Sequence, residues 1–202
     1  MSDKFQNKYR IASARTSWWN YGWNGAYFIT VCTANRSNYF GEIENGKMKL
    51  SSIGILADVL WHEIKNHAEN IELGAFVVMP NHIHGILILD RPENVNTDSS
   101  VDTGHIEIGH ALSISQSNQT PAQQRFRNQG KNTVSSIIGS YKSALTKHCN
   151  RLGLTDTDGV IFAWQTRFHD HIIRNNEEYQ RINDYIETNI QNWGKDKFFD
   201  EK

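Results

Sequence analysis

The chain has 202 residues, 38% of them apolar and 21% charged, with a formal net charge of −1, a profile that suits one domain with insertions or at most two small ones. Charge so near balance excludes a global cationic field and leaves only a local basic face for binding nucleic acid. Cys32 and Cys149 are too few for a disulfide framework or a four-cysteine zinc site, no apolar run is long enough to span a membrane, and the opening MSDKFQNKYRIASART has no apolar signal segment, so a reducing, cytoplasmic setting is expected.

Along the chain, AYFITVCT (26–33) reads as a strand of β-branched and aromatic residues. EIENGKMKL holds two short strands around Asn45-Gly46, a hairpin-turn signal. From Ser51 the period becomes helical, with Ile53, Leu56, Ala57, Leu60 and Ile64 on one stripe and Ser51 or Ser52 as N-cap. IELGAFVVM and HIHGILIL are two further strands, antiparallel neighbours across Pro80-Asn81. Residues 91–132 are polar and aperiodic, an insertion within a single domain spanning 1–202, with Arg125, Arg127 and Lys131 near its end. Helical spacing resumes at Val134, Ile137, Ile138, Tyr141 and Leu145. VIFAWQTRFHDHIIR reads as a strand with a polar interruption, and NNEEYQRINDYIETNIQNW as a helix capped by Asn175 or Asn176, with Tyr179, Ile182 and Ile186 inward. This order predicts an α+β fold, an antiparallel sheet with helices packed on it and gathered on one face.

His82 and His84 interrupt an otherwise apolar strand. Residues two apart in a strand project to the same face, about 7 Å apart at roughly 3.4 Å rise per residue. Three uses compete for such a pair: hydrogen-bonded structural histidines, metal ligands, or part of a nucleotide-hydrolase triad of alternating histidines. The triad needs a third histidine at position 86, where the residue is Ile86.

A metal on two imidazoles needs a further ligand. Tyr185 and Asn189 lie four apart on the last helix, one turn from each other and beside the stripe of Ile182 and Ile186. The plain alternative is a core-edge tyrosine with its hydroxyl in water. On a helix abutting the sheet, the pair also suits an amide ligand with a phenol above it as nucleophile. A phenol with pKa about 10 is useful against phosphodiesters, where positioning and charge stabilisation dominate.

MPNHIHGILIL followed far downstream by YIETN resembles the HUH endonucleases, and within them the REP-associated tyrosine transposases. The likeness extends over four ordered blocks: GAYFITVCTANRSNYFGEIENGKMKL, ELGAFVVMPNHIHGI, SSIIGSYKSALTKH and WQTRFHDHIIRNNEEYQRINDYIETN. It implies a ferredoxin-like HUH sandwich and a metal-dependent enzyme that cuts single-stranded, often hairpin-forming DNA through a 5′-phosphotyrosine and transfers the strand. It further implies His82 and His84 as ligands of Mg2+ or Mn2+, Tyr185 as nucleophile, Asn189 as third ligand and His171 in a supporting role. Related chains often read Asn-Pro where this one has Asn189-Ile190, so the last helix is expected to run on toward Trp193.

For DNA contacts the candidates are Lys8, Arg10 and Arg15, which precede Trp18, Trp19, Tyr21 and Trp23, and Lys142, Lys147 and Arg151 on the middle helix. The tryptophans serve equally as a cover on the sheet end, and the lysines as a solvated face. Two rival functions stand beside the transposase reading: a domesticated, non-catalytic single-strand-binding module, and a zinc hydrolase, which lacks an adjacent carboxylate base. Either a monomer or a homodimer suits the chemistry, because relatives place the tyrosine in their own site or a partner's.

Overall fold

The β-branched runs become the inner strands of one sheet. The computed structural model describes residues 24–90, 132–155 and 159–199. Lys8, Arg10, Arg15 and the neighbouring tryptophans lie outside the described residues, as does the expected insertion except for Asn132. The described elements are β1 (Gly25–Cys32), β2 (Gly41–Glu44), β3 (Lys47–Leu50), α1 (Ser52–His62), α2 (Ile64–His67), β4 (Ile71–Met79), β5 (His82–Leu89), α3 (Val134–Leu152), β6 (His169–Ile173) and α4 (Asn176–Thr188).

Four strands form an antiparallel sheet in the order β4-β5-β1-β6. With β2–β3 set apart as its own hairpin, the path β1-α1-β4-β5-α3-β6 is the double split βαβ of ferredoxin-like folds. The hairpin turns at Asn45 and Gly46, whose φ values of 50° and 71° are the left-handed conformation that Asn-Gly adopts readily and that fits the right-handed twist of the strands. The segment before β6 is strand only from His169. Upstream of it the chain makes only isolated bridges, Ile161 to Thr155 and Trp164 to Thr33, so the expected strand before the polar interruption does not form.

The helices do not gather on one face. Odd-numbered residues of β1 and β5 (Tyr27, Ile29, Val31, Ile83, Leu87) pack with Ile53, Ala57 and Trp61 of α1 and with Ile138, Tyr141 and Leu145 of α3. Even-numbered residues (Phe28, Ile86, Ile88) pack with Tyr179, Ile182 and Ile186 of α4 on the opposite face. The strict alternation of a strand settles this. Both faces of β1 and β5 are apolar, so each face demands its own cover. His82 and His84 are even-numbered and look toward α4.

Caps behave as the local chemistry dictates. Ser51 Oγ accepts from Gly54 N (3.0 Å), Thr133 Oγ1 from Ser136 N (3.2 Å) and Asn175 Oδ1 from Glu178 N (2.8 Å). α4 stops at Thr188 rather than continuing to Trp193. Asn192 Nδ2 takes the Thr188 carbonyl (3.0 Å), and turns carry the chain to a 3-10 turn at Trp193–Lys195.

Two glycines set the sheet against its covers. On β4 a bulge between Leu73 and Phe76 shifts the register by one residue. A Cβ on Gly74 there would meet Ile86 Cβ and Tyr179 Oη, each at 2.9 Å, so glycine lets α4 lie close. Gly85 faces the other way, where a Cβ would stand 2.3 Å from the Trp61 ring. Trp61 is fully buried and stacks on Phe76 at 4.6 Å between centroids, leaving it no room to retreat. Gly85→Ala is therefore expected to destabilise the chain by about 3 kcal/mol, measured by urea unfolding, with partial recovery when Trp61→Leu is added.

Candidate active site

The histidines are placed by the β4–β5 turn, which is clamped from several directions. Thr33 N and Thr33 Oγ1 both donate to the Asn81 carbonyl (2.9 Å each), and Phe40 N donates to the Pro80 carbonyl (3.0 Å). The Asn81 side chain donates through Nδ2 to the carbonyls of Phe198 (2.9 Å) and Arg36 (3.2 Å). Two acceptors on the nitrogen fix the amide's orientation, so Oδ1 is the atom that faces His82 Nδ1 at 2.9 Å. An oxygen acceptor there keeps the proton on Nδ1 and leaves a lone pair on His82 Nε2.

His84 is opposite Thr30 in the β1–β5 register, and its Nδ1 lies 2.9 Å from Thr30 Oγ1. A hydroxyl both donates and accepts, so Thr30 suits either tautomer of His84. The two Nε2 atoms come within 3.1 Å of each other. Phe28 stacks on the His84 ring at 5.1 Å, and Phe198 lies 4.5 Å from the His82 ring. Both histidines are essentially without solvent exposure. Burial, with Lys197 and Arg36 adding to it, lowers the His82 pKa to about 3. Burial and then the neighbouring His82 hold His84 well below its ordinary value. The pair is neutral at pH 7, the state in which imidazole binds metals.

Tyr185 reaches this pair from α4. Its Oη is 3.2 Å from His84 Nε2 and donates to Asp196 Oδ2 at 3.3 Å. Burial, then the Asp196 charge, raises the phenol's pKa, while a hydrogen bond from the Asn189 side chain acts the other way. Tyr185 is 40% exposed, whereas the imidazoles its hydroxyl meets are buried.

Asp196 is the residue that sequence reasoning missed. It follows the 3-10 turn after α4, and Phe198 N donates to its Oδ1 at 2.8 Å, which aims Oδ2 inward. His82, His84 and Asp196 offer ligand atoms all within 4.8 Å of one another, a group able to hold a metal ion. The facing Nε2 atoms, one already a bare lone pair, and an adjacent carboxylate form a donor set that a divalent cation fits. Asn189 is also at the site, 2% exposed, and its buried Oδ1 has no hydrogen-bond partner among the described residues. Asn81 and Thr30, which orient the rings, were likewise unread. Only the register and the closed turn reveal them.

The remaining candidates sit elsewhere. His171 Nε2 pairs with Glu178 Oε1 at 2.8 Å, and Glu178 also accepts from Arg174 N, so His171 ties β6 to the first turn of α4. Lys142 donates to the carbonyls of Gln165 (2.6 Å) and Thr166 (3.3 Å), and Arg151 lies 3.1 Å from His148 Nδ1. Lys142, Lys147 and Arg151 belong to α3, on the other face of the sheet from Tyr185.

The buried imidazoles make stability depend on pH. The unfolded chain protonates His82 near its ordinary 6.5, whereas the folded chain resists until about 3. Stability is therefore full above the upper value and is lost as pH falls toward the lower one. At about pH 5 the loss from this imidazole is on the order of 2 kcal/mol, to be read as a fall in urea-unfolding free energy that His82→Gln reduces.

No family model matches the chain. It is 28% identical over 188 residues to an uncharacterized protein of Haemophilus influenzae, spanning 93% of this chain and 92% of that one. Among solved structures, a REP-associated tyrosine transposase bound to a REP hairpin aligns with a TM-score of 0.54 at 22% identity, over 91% of this chain and 75% of the other. No helix among the described residues is long and apolar enough to cross a membrane. With His82-Ile83-His84 on an inner strand and the Tyr185 helix laid over that strand, the chain shares the α+β fold of that REP-associated tyrosine transposase.

Proposed function

We propose that the chain cuts and rejoins single-stranded DNA by transesterification at Tyr185. The observation that carries this reading is the phenol oxygen standing 3.2 Å from His84 Nε2 and 3.3 Å from Asp196 Oδ2, at the opening of the buried imidazole pair. The solved transposase of the same fold is bound to a REP hairpin, which supports hairpin-forming DNA as the substrate class here.

In the cut, a bond forms between Tyr185 Oη and phosphorus while the bond from phosphorus to the 3′-oxygen breaks. The phenol is protonated at rest, so its proton must leave as the bond forms, to water on the exposed side of Tyr185, while Asp196 Oδ2 orients the hydroxyl. The departing 3′-oxygen takes a proton from water. What remains is a 5′-phosphotyrosyl link and a free 3′-hydroxyl, and the reverse step joins a new strand. α4 aims the phenol, and the Phe28 and Phe198 rings wall the histidines from water.

His82 Nε2, His84 Nε2 and an Asp196 oxygen would hold Mg2+ or Mn2+, with Asn189 Oδ1 as a further donor. Bound there, the cation would act as a Lewis acid on the phosphoryl oxygens. Loading the site asks His84 to keep its proton on Nδ1, which Thr30 Oγ1 accepts without a net change of charge. Tyr185 meets the imidazoles of its own chain, so a monomer suffices for one cut.

Incubation with a single-stranded hairpin DNA and Mn2+ or Mg2+ is expected to give a covalent protein–DNA band under denaturing conditions. Tyr185→Phe should lose that band while still binding DNA; an adduct that persists in this variant refutes the assignment. Titration calorimetry with Mn2+ alone tests the ligand set. Asn81→Ala, which frees the His82 ring, is expected to weaken metal binding by about 10–100-fold, and Asp196→Ala by at least as much.

A further inference from the structure

The outer side of α3 carries a feature that the cutting step does not use. Lys142, Ser143, Thr146, Lys147 and Asn150 line one side of a groove of about 510 Å³, and Trp164 from the segment before β6 lines the other. The walls are fixed. Trp164 Nε1 donates to the Lys142 carbonyl (3.2 Å), and the Lys142 ammonium, tied to the Gln165 and Thr166 carbonyls, lies 5.9 Å from the indole centroid. With its N–H satisfied and its ring packed on Phe40, Tyr141 and Phe162, Trp164 offers the groove only the remaining part of its apolar surface.

The lining contains two cations, hydroxyls, an amide and an indole, but no carboxylate. Among the described residues neither Lys142 nor Lys147 has an acidic partner. Such a groove matches a ligand with both a negative group and a flat apolar one, the chemistry of a nucleotide. It is also joined to the histidine end of the sheet. Gln165 N donates to the Cys32 carbonyl (2.9 Å), and Cys32 is the register partner of His82. The charges of Arg36, Lys197 and Lys142 act on the Cys32 thiol and the Asp196 carboxylate acts against them, so this end of the sheet carries three cations to one anion.

We propose that this groove binds a nucleotide of the single-stranded DNA flanking the cut, its phosphate on Lys147 and its base against Trp164, after the strand passes over the sheet end. The assignment rests on the reading of the chain as a DNA-cutting enzyme, and its test separates the two. In the full chain carrying Tyr185→Phe, fluorescence anisotropy measures binding of a thymidine oligonucleotide about 30 nucleotides long across a salt series. Adding Lys147→Ala is expected to weaken binding by about tenfold and to make the slope of log K against log salt shallower by about 0.7. Lys147→Arg should restore most of the affinity. Lys65→Ala, an exposed cation on α2, should change little. Equal affinity and slope with and without Lys147, or an equal loss at Lys65, overturns the groove assignment. In the chain with Tyr185 intact, Lys147→Ala should still form the covalent adduct at saturating DNA. If no Tyr185-dependent adduct forms while the Lys147 effect stands, the groove is retained and the cutting reading falls.

Discussion

One amide governs the geometry of the site. Asn81 sits in the turn between the two strands that carry and flank the histidines, and its nitrogen is committed to carbonyls of Arg36 and Phe198. Its oxygen is thereby committed to His82, which fixes the tautomer and points Nε2 at His84. Three separate parts of the chain meet on this side chain: the 3-10 turn Ala34–Arg36 after β1, the β4–β5 turn and the segment around Phe198. A hydrogen bond buried among aromatic rings gains strength from the low dielectric and loses most if left unpaired. Displacing Asn81 would therefore disturb ring orientation and tail docking together.

The sheet divides the labour. One face is closed by α1 and α3 through large aromatic contacts such as Trp61 on Phe76 and Tyr141. The other carries the imidazoles beneath α4. Gly74 and Gly85 mark where each cover comes closest to the strands, so the sheet is pressed from both sides and the histidine strand has little freedom. Under the proposed chemistry, a rigid strand would hold the imidazoles in a fixed position against the phenol. His171 contributes to the same end by pinning the start of α4 through Glu178.

Much of this was legible before any coordinates. Ser51 and Asn175 announced their helices because a side-chain oxygen ahead of a helical stripe satisfies an orphan N–H. Asn45-Gly46 announced its hairpin through the backbone twist it permits. The His82–His84 pair stood out because imidazoles are costly in an apolar strand unless partnered, and the structure gives the rings partners in Asn81 and Thr30. The division of helices between faces was misread, since β1 and β5 are apolar on both sides and such a run does not say which helix covers which face. The end of α4 was misjudged too. Isoleucine at 190 allows a helix, but Asn192 captures the Thr188 carbonyl and turns the chain. Asp196 was invisible for a different reason: a carboxylate in a short polar tail has no periodicity, and only tertiary docking brings it to the imidazoles.

The position of Asp196 separates two kinds of support. Thr30, His82 and His84 are held by strand pairing, whereas Asp196 depends on a short 3-10 turn and one bond from Phe198 N. A backbone break between α4 and Asp196 would leave the imidazoles on their strand and take away the carboxylate together with the carbonyl that receives Asn81.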